Sequence, residues 1–115
     1  MRYVFLGYAD EKVEAAFSAE ESRRIVEAHY EFGARMRAEG RMVAGAGLAD
    51  SSATTVVKRS LDGDDLVTDG PFVEAREQIG GLYILECADL DEAIALARQM
   101  PCSDTLSIEI RPAPL

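Results

Sequence analysis

His29 is the only histidine of the chain, and histidine is the side chain best suited to move a proton near neutral pH. It follows Ile25 by four positions and precedes Phe32 by three, which predicts a place on the apolar face of an amphipathic helix. Two interpretations remain open. His29 is either a buried structural histidine with one hydrogen-bonded neighbour or a general acid/base in a pocket.

Asp69 is the carboxylate that we assign as the partner of His29, because a carboxylate holds an imidazole in one tautomer and favours its charged form. It opens the sequence Asp-Gly-Pro-Phe, a combination typical of a rigid turn. In the functional interpretation this turn presents Asp69 at the mouth of a pocket. In the structural one Asp69 only caps the turn. We expect Phe72 to anchor the loop in the core.

Arg76 and Glu77 form a charged pair in the same connection. Such a pair is either part of a solvated surface or a polar anchor for a ligand. The predicted ligand-binding residues are therefore Phe72, Arg76 and Glu77. Gly80 and Gly81 follow, and they indicate a β-bulge in preference to the close approach of a ligand.

Several familiar kinds of site are excluded. The glycines at positions 45 and 47 lack the third glycine and the helix of a dinucleotide fingerprint. One histidine and two distant cysteines do not make a zinc site. Ser51 and Ser52 have no nucleophile-elbow motif around them. We predict neither a metal nor a cofactor.

The length of 115 residues, with 48% hydrophobic and 29% charged residues, predicts one ordered domain spanning residues 1–115. The net charge of -9 disfavours direct binding of nucleic acid or of an anionic membrane surface. No apolar run approaches the ~20 residues of a membrane span, and none resembles a signal peptide. With Cys87 and Cys102 interpreted as reduced thiols, we expect a cytoplasmic location.

Two helices and six strands account for the apolar patterns. The first helix begins at a capping box formed by Ser18 and Glu21 and ends near Gly40. The second is capped by Asp89 with Glu92 in the box position, and Pro101 stops it. The predicted strands are 2–8, 42–48, 53–59, 66–68, 82–87 and 105–111.

Two strand–helix–strand units joined by a hairpin predict an α+β domain, namely a ferredoxin-like subunit with an antiparallel sheet and two helices on one face. Strands 2–8 and 82–87 are apolar on both faces, so we expect them in the centre, whereas strand 105–111 alternates like an edge strand. Two helices cover only one face of such a sheet. We therefore expect a homodimer through the open sheet face.

The Asp69–Phe72 tetrapeptide, the run from Arg76 to Gly81 and the helix opening at Asp89 together resemble the YCII-related family in its DGPF-domain branch. That branch usually has lysine where Arg76 stands. The resemblance implies a dimeric α+β barrel of ferredoxin-like subunits. It also implies an active-site pair made of a helix histidine and an aspartate, which His29 and Asp69 match. Some members are encoded near sigma factors of the extracytoplasmic type.

Three functions remain open at this point. The first is a pocket for an unknown small molecule, with or without catalysis by His29 as acid/base and Asp69 as its orienting partner. The second is a non-catalytic binding or regulatory module that acts through a protein partner, for example a sigma factor. The third is a purely structural dimer. Whether the protein is an enzyme is not decided by the sequence.

Overall fold

The computed structural model describes residues 1–101, 103 and 105–114. Within them the chain forms six strands and three α-helices, and a single 3-10 turn spans Ser51–Ala53. The strands are β1 (Arg2–Asp10), β2 (Met42–Gly47), β3 (Thr55–Lys58), β4 (Leu66–Asp69), β5 (Glu77–Glu86) and β6 (Ser107–Ala113). The helices are α1 (Glu11–Ala15), α2 (Ala19–Ala38) and α3 (Leu90–Ala97).

Four strands form the main antiparallel sheet in the order β2-β5-β1-β6, and β3 and β4 form a separate hairpin. The prediction that the two strands with two apolar faces are central is confirmed, since β1 and β5 occupy the middle and β6 lies at an edge. This α+β arrangement is compatible with a ferredoxin-like fold. The β3–β4 hairpin is an addition that stands outside the four-stranded sheet.

Both predicted N-caps are confirmed, although neither glutamate accepts from the amide of the capping residue as in a full capping box. The Ser18 hydroxyl accepts from the Glu21 amide at 3.1 Å and donates to the Glu21 carboxylate, and α2 ends just before Gly40, whose φ is 74°. At α3, Asp89 accepts from the Glu92 amide at 2.8 Å. These bonds satisfy amides that a helix terminus otherwise leaves without partners, and so they fix where each helix begins.

The core lies between the main sheet and the two longer helices. Its most buried side chains are Phe5, Met36 and Leu85, at 1%, 0% and 0% exposure. Phe32 from α2 and Leu96 from α3 belong to the same cluster. Each fully buried side chain of this size contributes about 1.5–3 kcal/mol through the hydrophobic effect, which is what holds α2 and α3 on this face of the sheet.

The opposite face of the main sheet is also apolar. Side chains alternate along a strand, so residues next to the buried Tyr3 and Phe5 point to the other side. They are Val4 and Leu6 on β1, and their partners Ile84 and Leu82 on β5, all of which are half-buried. Neither α2 nor α3 covers this side, which we call the open face. The predicted second apolar face is therefore present.

A β-bulge separates the two halves of the β1–β5 pairing. Gly7 lies opposite Gly81 and Tyr8 lies opposite Ile79, so Gly80 has no partner on β1. This confirms the bulge predicted from the double glycine. Because of the bulge, Tyr8 and Ile79 are paired across the strands on the same face as Leu6.

Three expectations are wrong. Strand β5 begins at Glu77 instead of at residue 82, because β1 continues to Asp10 and so provides a partner for its first residues. Helix α1 was not predicted, since its five residues are too short to show a periodicity. Phe72 is not a core anchor, because its side chain lies in an exposed loop and is 81% accessible.

The remaining predictions about the chain as a whole have mixed outcomes. Cys87 is buried with a free thiol, as expected, whereas Cys102 lies outside the described residues. None of the helices in the described part of the chain is long and apolar enough to cross a membrane.

Candidate functional site

A cleft of about 660 Å³ lies where the end of β1 meets the start of β5. It is bounded by residues 48–54 on one side and by residues 71–75 on the other. We call it the arm cleft, because the second wall belongs to the connection between the β3–β4 hairpin and β5. Its volume falls in the range of roughly 300–1,000 Å³ typical of small-molecule sites.

The floor of the arm cleft is formed by Tyr8 and Ile79. These two residues are the first pair beyond the bulge at Gly80, and they lie on the open face of the sheet. The bulge thus decides which side chains form the floor. Without the additional residue, the register would place Gly80 opposite Tyr8 and remove an apolar side chain from the floor.

The first wall is held by carboxylates. The Glu11 carboxylate accepts from the Ser51 amide at 2.7 Å and also from the Ser51 hydroxyl. Asp50 accepts from the Ser52 amide at 3.0 Å and so caps the 3-10 turn. That backbone hydrogen bond lowers the pKa of Asp50, so its carboxylate is ionised at neutral pH. Glu11 therefore fastens residues 48–54 to α1.

The second wall is held by one side chain and one backbone contact. The side-chain Nε2 of Gln78 donates to the backbone carbonyls of Val73 and Ala75 at 3.0 and 3.1 Å. The amide of Gly70 donates to the Thr54 carbonyl at 2.7 Å and joins the two walls. Gly70 has a φ of 92°, a conformation that favours glycine and explains this residue type in the turn.

Phe72 and Glu77, two of the three predicted ligand-binding residues, line the arm cleft. The third, Arg76, is not among its lining residues. The Arg76 guanidinium lies 3.8 Å from the Asp10 carboxylate, and its side chain is 81% exposed. The cleft is therefore mainly apolar, with the carboxylates of Glu77 and Asp50 as its charged groups.

His29 lies elsewhere, on the α2 side of the sheet. Its Nδ1 is 2.8 Å from the Tyr83 hydroxyl, and the two rings are stacked with centroids 5.9 Å apart. The imidazole is half-buried, and this burial lowers the pKa of His29. Burial also raises the pKa of Tyr83. His29 is not one of the residues that line the arm cleft.

Asp69 is the last residue of β4, where it is exposed and lies opposite Thr55 in the hairpin. The hydrogen bond that the His29 ring makes runs to a tyrosine hydroxyl. The pairing of His29 with Asp69 stays a prediction. In residues 1–101, 103 and 105–114, no three side chains of His, Cys, Asp or Glu are grouped so as to hold a metal ion.

The site residues that sequence reasoning missed include Tyr8, Gln78 and Tyr83. Tyr8 and Tyr83 were assigned to strands, but only the register shows which of them meets the cleft and which meets His29. His29 and Tyr83 are 54 positions apart, and no local pattern joins them. Gln78 could not be identified, because the sequence predicts a strand only from residue 82 and so places Gln78 in a loop.

Comparison with known proteins gives the family of this chain. A family model described as the YCII-related domain matches residues 1–113. A protein of Rhizobium meliloti (strain 1021), named Uncharacterized protein R00369, is similar to this chain, with 36% identity over 117 residues. The alignment covers 100% of this chain and 94% of that protein. The relative's name states no activity.

Proposed function

Because this chain belongs to the YCII-related family and carries the arm cleft, we propose that it is a small-molecule-binding protein that acts as a homodimer. The observation that carries the proposal is the cleft itself. It has the volume of a ligand site, and its walls are fixed by hydrogen bonds that Glu11 accepts and that Gly70 and Gln78 donate. A pre-formed, mainly apolar cavity of this kind is what small-molecule recognition requires.

The class of ligand follows from what lines the cleft. Tyr8, Ile79 and Phe72 supply apolar surface, while Glu77 supplies a carboxylate. The nearest arginine of the arm, Arg76, is directed to Asp10. We therefore infer an apolar ligand that carries a cationic or hydrogen-bond-donating group.

A fluorescent reporter tests this function, because the chain contains no tryptophan. Phe72→Trp places a single indole at the rim of the cleft, and Tyr30→Trp places one on the exposed side of α2 as a matched control. The probes are cyclohexylmethylamine, cyclohexylmethanol and cyclohexanecarboxylate, which share one apolar body and differ in charge. Emission of the Phe72→Trp protein is expected to change with the amine and the alcohol.

We expect the amine to bind about two- to fivefold more tightly than the alcohol, as for an exposed ion pair. Adding Glu77→Gln to the reporter is expected to reduce this preference, since Asp50 then remains as the charged group of the cleft. The Tyr30→Trp control is expected to respond to none of the probes. An equal response of both reporters, or no response at Phe72→Trp, contradicts binding in the arm cleft.

A second function, acid–base chemistry by His29 with Asp69 as its partner, is favoured by one observation. The imidazole is half-buried and is held in place by a hydrogen bond, an arrangement compatible with a proton-transfer group. If Asp69 also acts on it, Asp69→Asn lowers the pKa of His29, and Asp64→Asn, in the exposed hairpin turn, does not. An NMR titration of the single histidine measures this, and an unchanged pKa in Asp69→Asn contradicts the pair.

A regulatory role through a protein partner is the alternative, and it is favoured by the apolar surface of the hairpin. Leu61, Leu66 and Val67 are 110%, 57% and 63% exposed. If a sigma factor of the extracytoplasmic type binds there, calorimetry shows binding to the native protein and loss of binding in Leu66→Asp. Unchanged binding in Leu66→Asp would contradict binding of the partner at the hairpin surface.

A further inference from the structure

The hydroxyl of Tyr83 and the ring of His29 form a pair that the arm cleft does not use. The Tyr83 oxygen lies 2.8 Å from His29 Nδ1 and 3.5 Å from the backbone carbonyl oxygen of the same histidine. A tyrosine hydroxyl has one proton to donate. Which of the two acceptors receives that proton decides where the proton of the imidazole must lie.

The acidity of the two groups favours Nδ1 as the acceptor, because a phenol hydroxyl is a better donor than the N–H of a neutral imidazole, and an imidazole nitrogen is a better acceptor than a phenol oxygen. A separation of 2.8 Å is that of a full hydrogen bond, whereas 3.5 Å is close to the limit at which one is lost. The carbonyl of His29 also lies within α2, where it serves the helical ladder. When Tyr83 donates to Nδ1, a neutral His29 must carry its own proton on Nε2.

Nε2 is open to solvent. Among the described residues, Nδ1 of His29 has a hydrogen-bond partner and Nε2 has none. In the same part of the chain, every fully buried side-chain nitrogen or oxygen has a partner. Nε2 is therefore not fully buried, in agreement with the half-buried side chain of His29. Nε2 is therefore the ring nitrogen that is left for a contact with solvent or a ligand.

We propose that Tyr83 is the positioning residue of His29 and holds it as the Nε2–H tautomer, so that His29 meets a ligand as a neutral hydrogen-bond donor. The ligand group that fits is a carbonyl or carboxylate oxygen. This inference concerns a site outside the arm cleft and goes beyond the binding function proposed for it. For His29 to act as a base through Nε2, the Tyr83 hydroxyl has to turn away from Nδ1 first.

The surroundings of Tyr83 keep its hydroxyl in place and protonated. Its ring makes an edge contact with Phe32 at 5.3 Å. A Cβ on Gly45 would lie 3.1 Å from the same ring, so the glycine provides the space that the ring needs. Burial raises the pKa of Tyr83, and the charge of Arg37 on α2 opposes this effect only in part. No charged group near His29 outweighs the burial that lowers its own pKa.

The chain has a single histidine, so its imidazole signals need no assignment. In the native protein, nitrogen-15 NMR above the His29 pKa is expected to show a protonated Nε2 and an unprotonated, hydrogen-bonded Nδ1. Tyr83→Phe removes the hydroxyl and keeps the ring. The matched control is Tyr30→Phe, which removes a hydroxyl from the exposed side of α2, the helix that carries His29.

Tyr83→Phe removes the donor that favours an unprotonated Nδ1, so the Nδ1–H form of neutral His29 is expected to become more populated. The ratio of the Nε2–H form to the Nδ1–H form should fall about fivefold, the size expected for one neutral hydrogen bond. Tyr30→Phe should leave this ratio unchanged. An Nδ1–H tautomer in the native protein, or an unchanged ratio in Tyr83→Phe, would overturn the proposal.

Discussion

At the scale of single residues, burial determines how His29 responds to pH. The pKa of His29 in the folded protein lies below its value of about 6.5 in the unfolded chain, because burial disfavours the imidazolium. Between these two values the unfolded state binds more protons than the folded state. The free energy of unfolding therefore falls as the pH decreases from 6.5 through the folded-state pKa.

Urea denaturation at a series of pH values between about 7 and 5 measures this decrease, and in His29→Gln it should be smaller over the same window. Glu86 and Glu92 act separately and at lower pH. Hydrogen bonds from Arg2 and Arg41 lower the pKa values of Glu86 and Glu92, so their contribution is lost only as the pH falls through those lowered values. An identical slope in His29→Gln between pH 7 and 5 would contradict the assignment to His29.

At the scale of secondary-structure elements, the β1–β5 pairing shows what could be predicted from the sequence. The two apolar faces of each strand predicted central positions correctly, and the double glycine predicted the bulge. The first residues of β5 were missed because the charged Glu77 and the two glycines favour a loop locally. Their pairing with the end of β1 is a tertiary interaction, and local propensity does not report it.

The candidate sites were predictable only in part, for the same reason. Phe72 was identified from the turn chemistry of Asp-Gly-Pro-Phe and Glu77 from the charged pair that it forms with Arg76, and both do line a cleft. The position of Phe72 at the rim was missed, since an aromatic residue after a turn is more often buried. The contact of His29 with Tyr83 depends on how α2 lies across β5, which neither segment specifies alone.

The two adjacent glycines of β5 differ in what they permit, which gives a prediction at this scale. A Cβ on Gly81 would lie 3.0 Å from the backbone oxygen of Ala46 on the neighbouring strand, whereas a Cβ on Gly80 meets nothing within 4 Å. Gly81→Ala must push β2 and β5 apart and is expected to cost about 1–3 kcal/mol. Gly80→Ala is the control and should change stability by roughly 0.5 kcal/mol or less. Urea denaturation compares the two, and equal stabilities would contradict the close packing of β2 against Gly81.

The bond between Glu11 and Ser51 gives a second prediction about elements. Glu11→Gln keeps the shape of the side chain but replaces charge-assisted hydrogen bonds by neutral ones, which are weaker by about 1.4 kcal/mol. Hydrogen exchange at the Ser51 amide should then become about tenfold faster. Glu14→Gln, on the same short helix, is the control and should leave the exchange rate of this amide unchanged. Equal exchange in the native protein and Glu11→Gln would show that this bond does not hold the first wall of the cleft.

At the scale of the whole molecule, the single chain is more extended than its length requires. Its radius of gyration is 16.0 Å, against about 13 Å for a compact domain of this size. The shape is a slab of 46 × 39 × 19 Å. The arm cleft has its floor on the open face, so a second copy on that face would also close over a bound ligand.

Charge and apolar surface oppose each other in such a dimer. Val4, Leu6, Leu82 and Ile84 offer an apolar patch, whereas each copy carries a net charge of -9. Salt screens repulsion between exposed charges and leaves apolar contacts intact. Association is therefore expected to strengthen as the ionic strength rises, the opposite of an interface held by surface ion pairs.

Leu6→Glu tests the open face directly, because it places a charge in the centre of the patch. Sedimentation at micromolar concentration should show a dimer for the native protein and a monomer for Leu6→Glu. Leu61→Glu adds the same charge at the fully exposed tip of the hairpin and should remain dimeric. Circular dichroism checks that Leu6→Glu keeps its secondary structure, so that loss of the dimer is not loss of the fold. A native monomer, or a dimer that survives in folded Leu6→Glu, would remove the open face as the interface between copies.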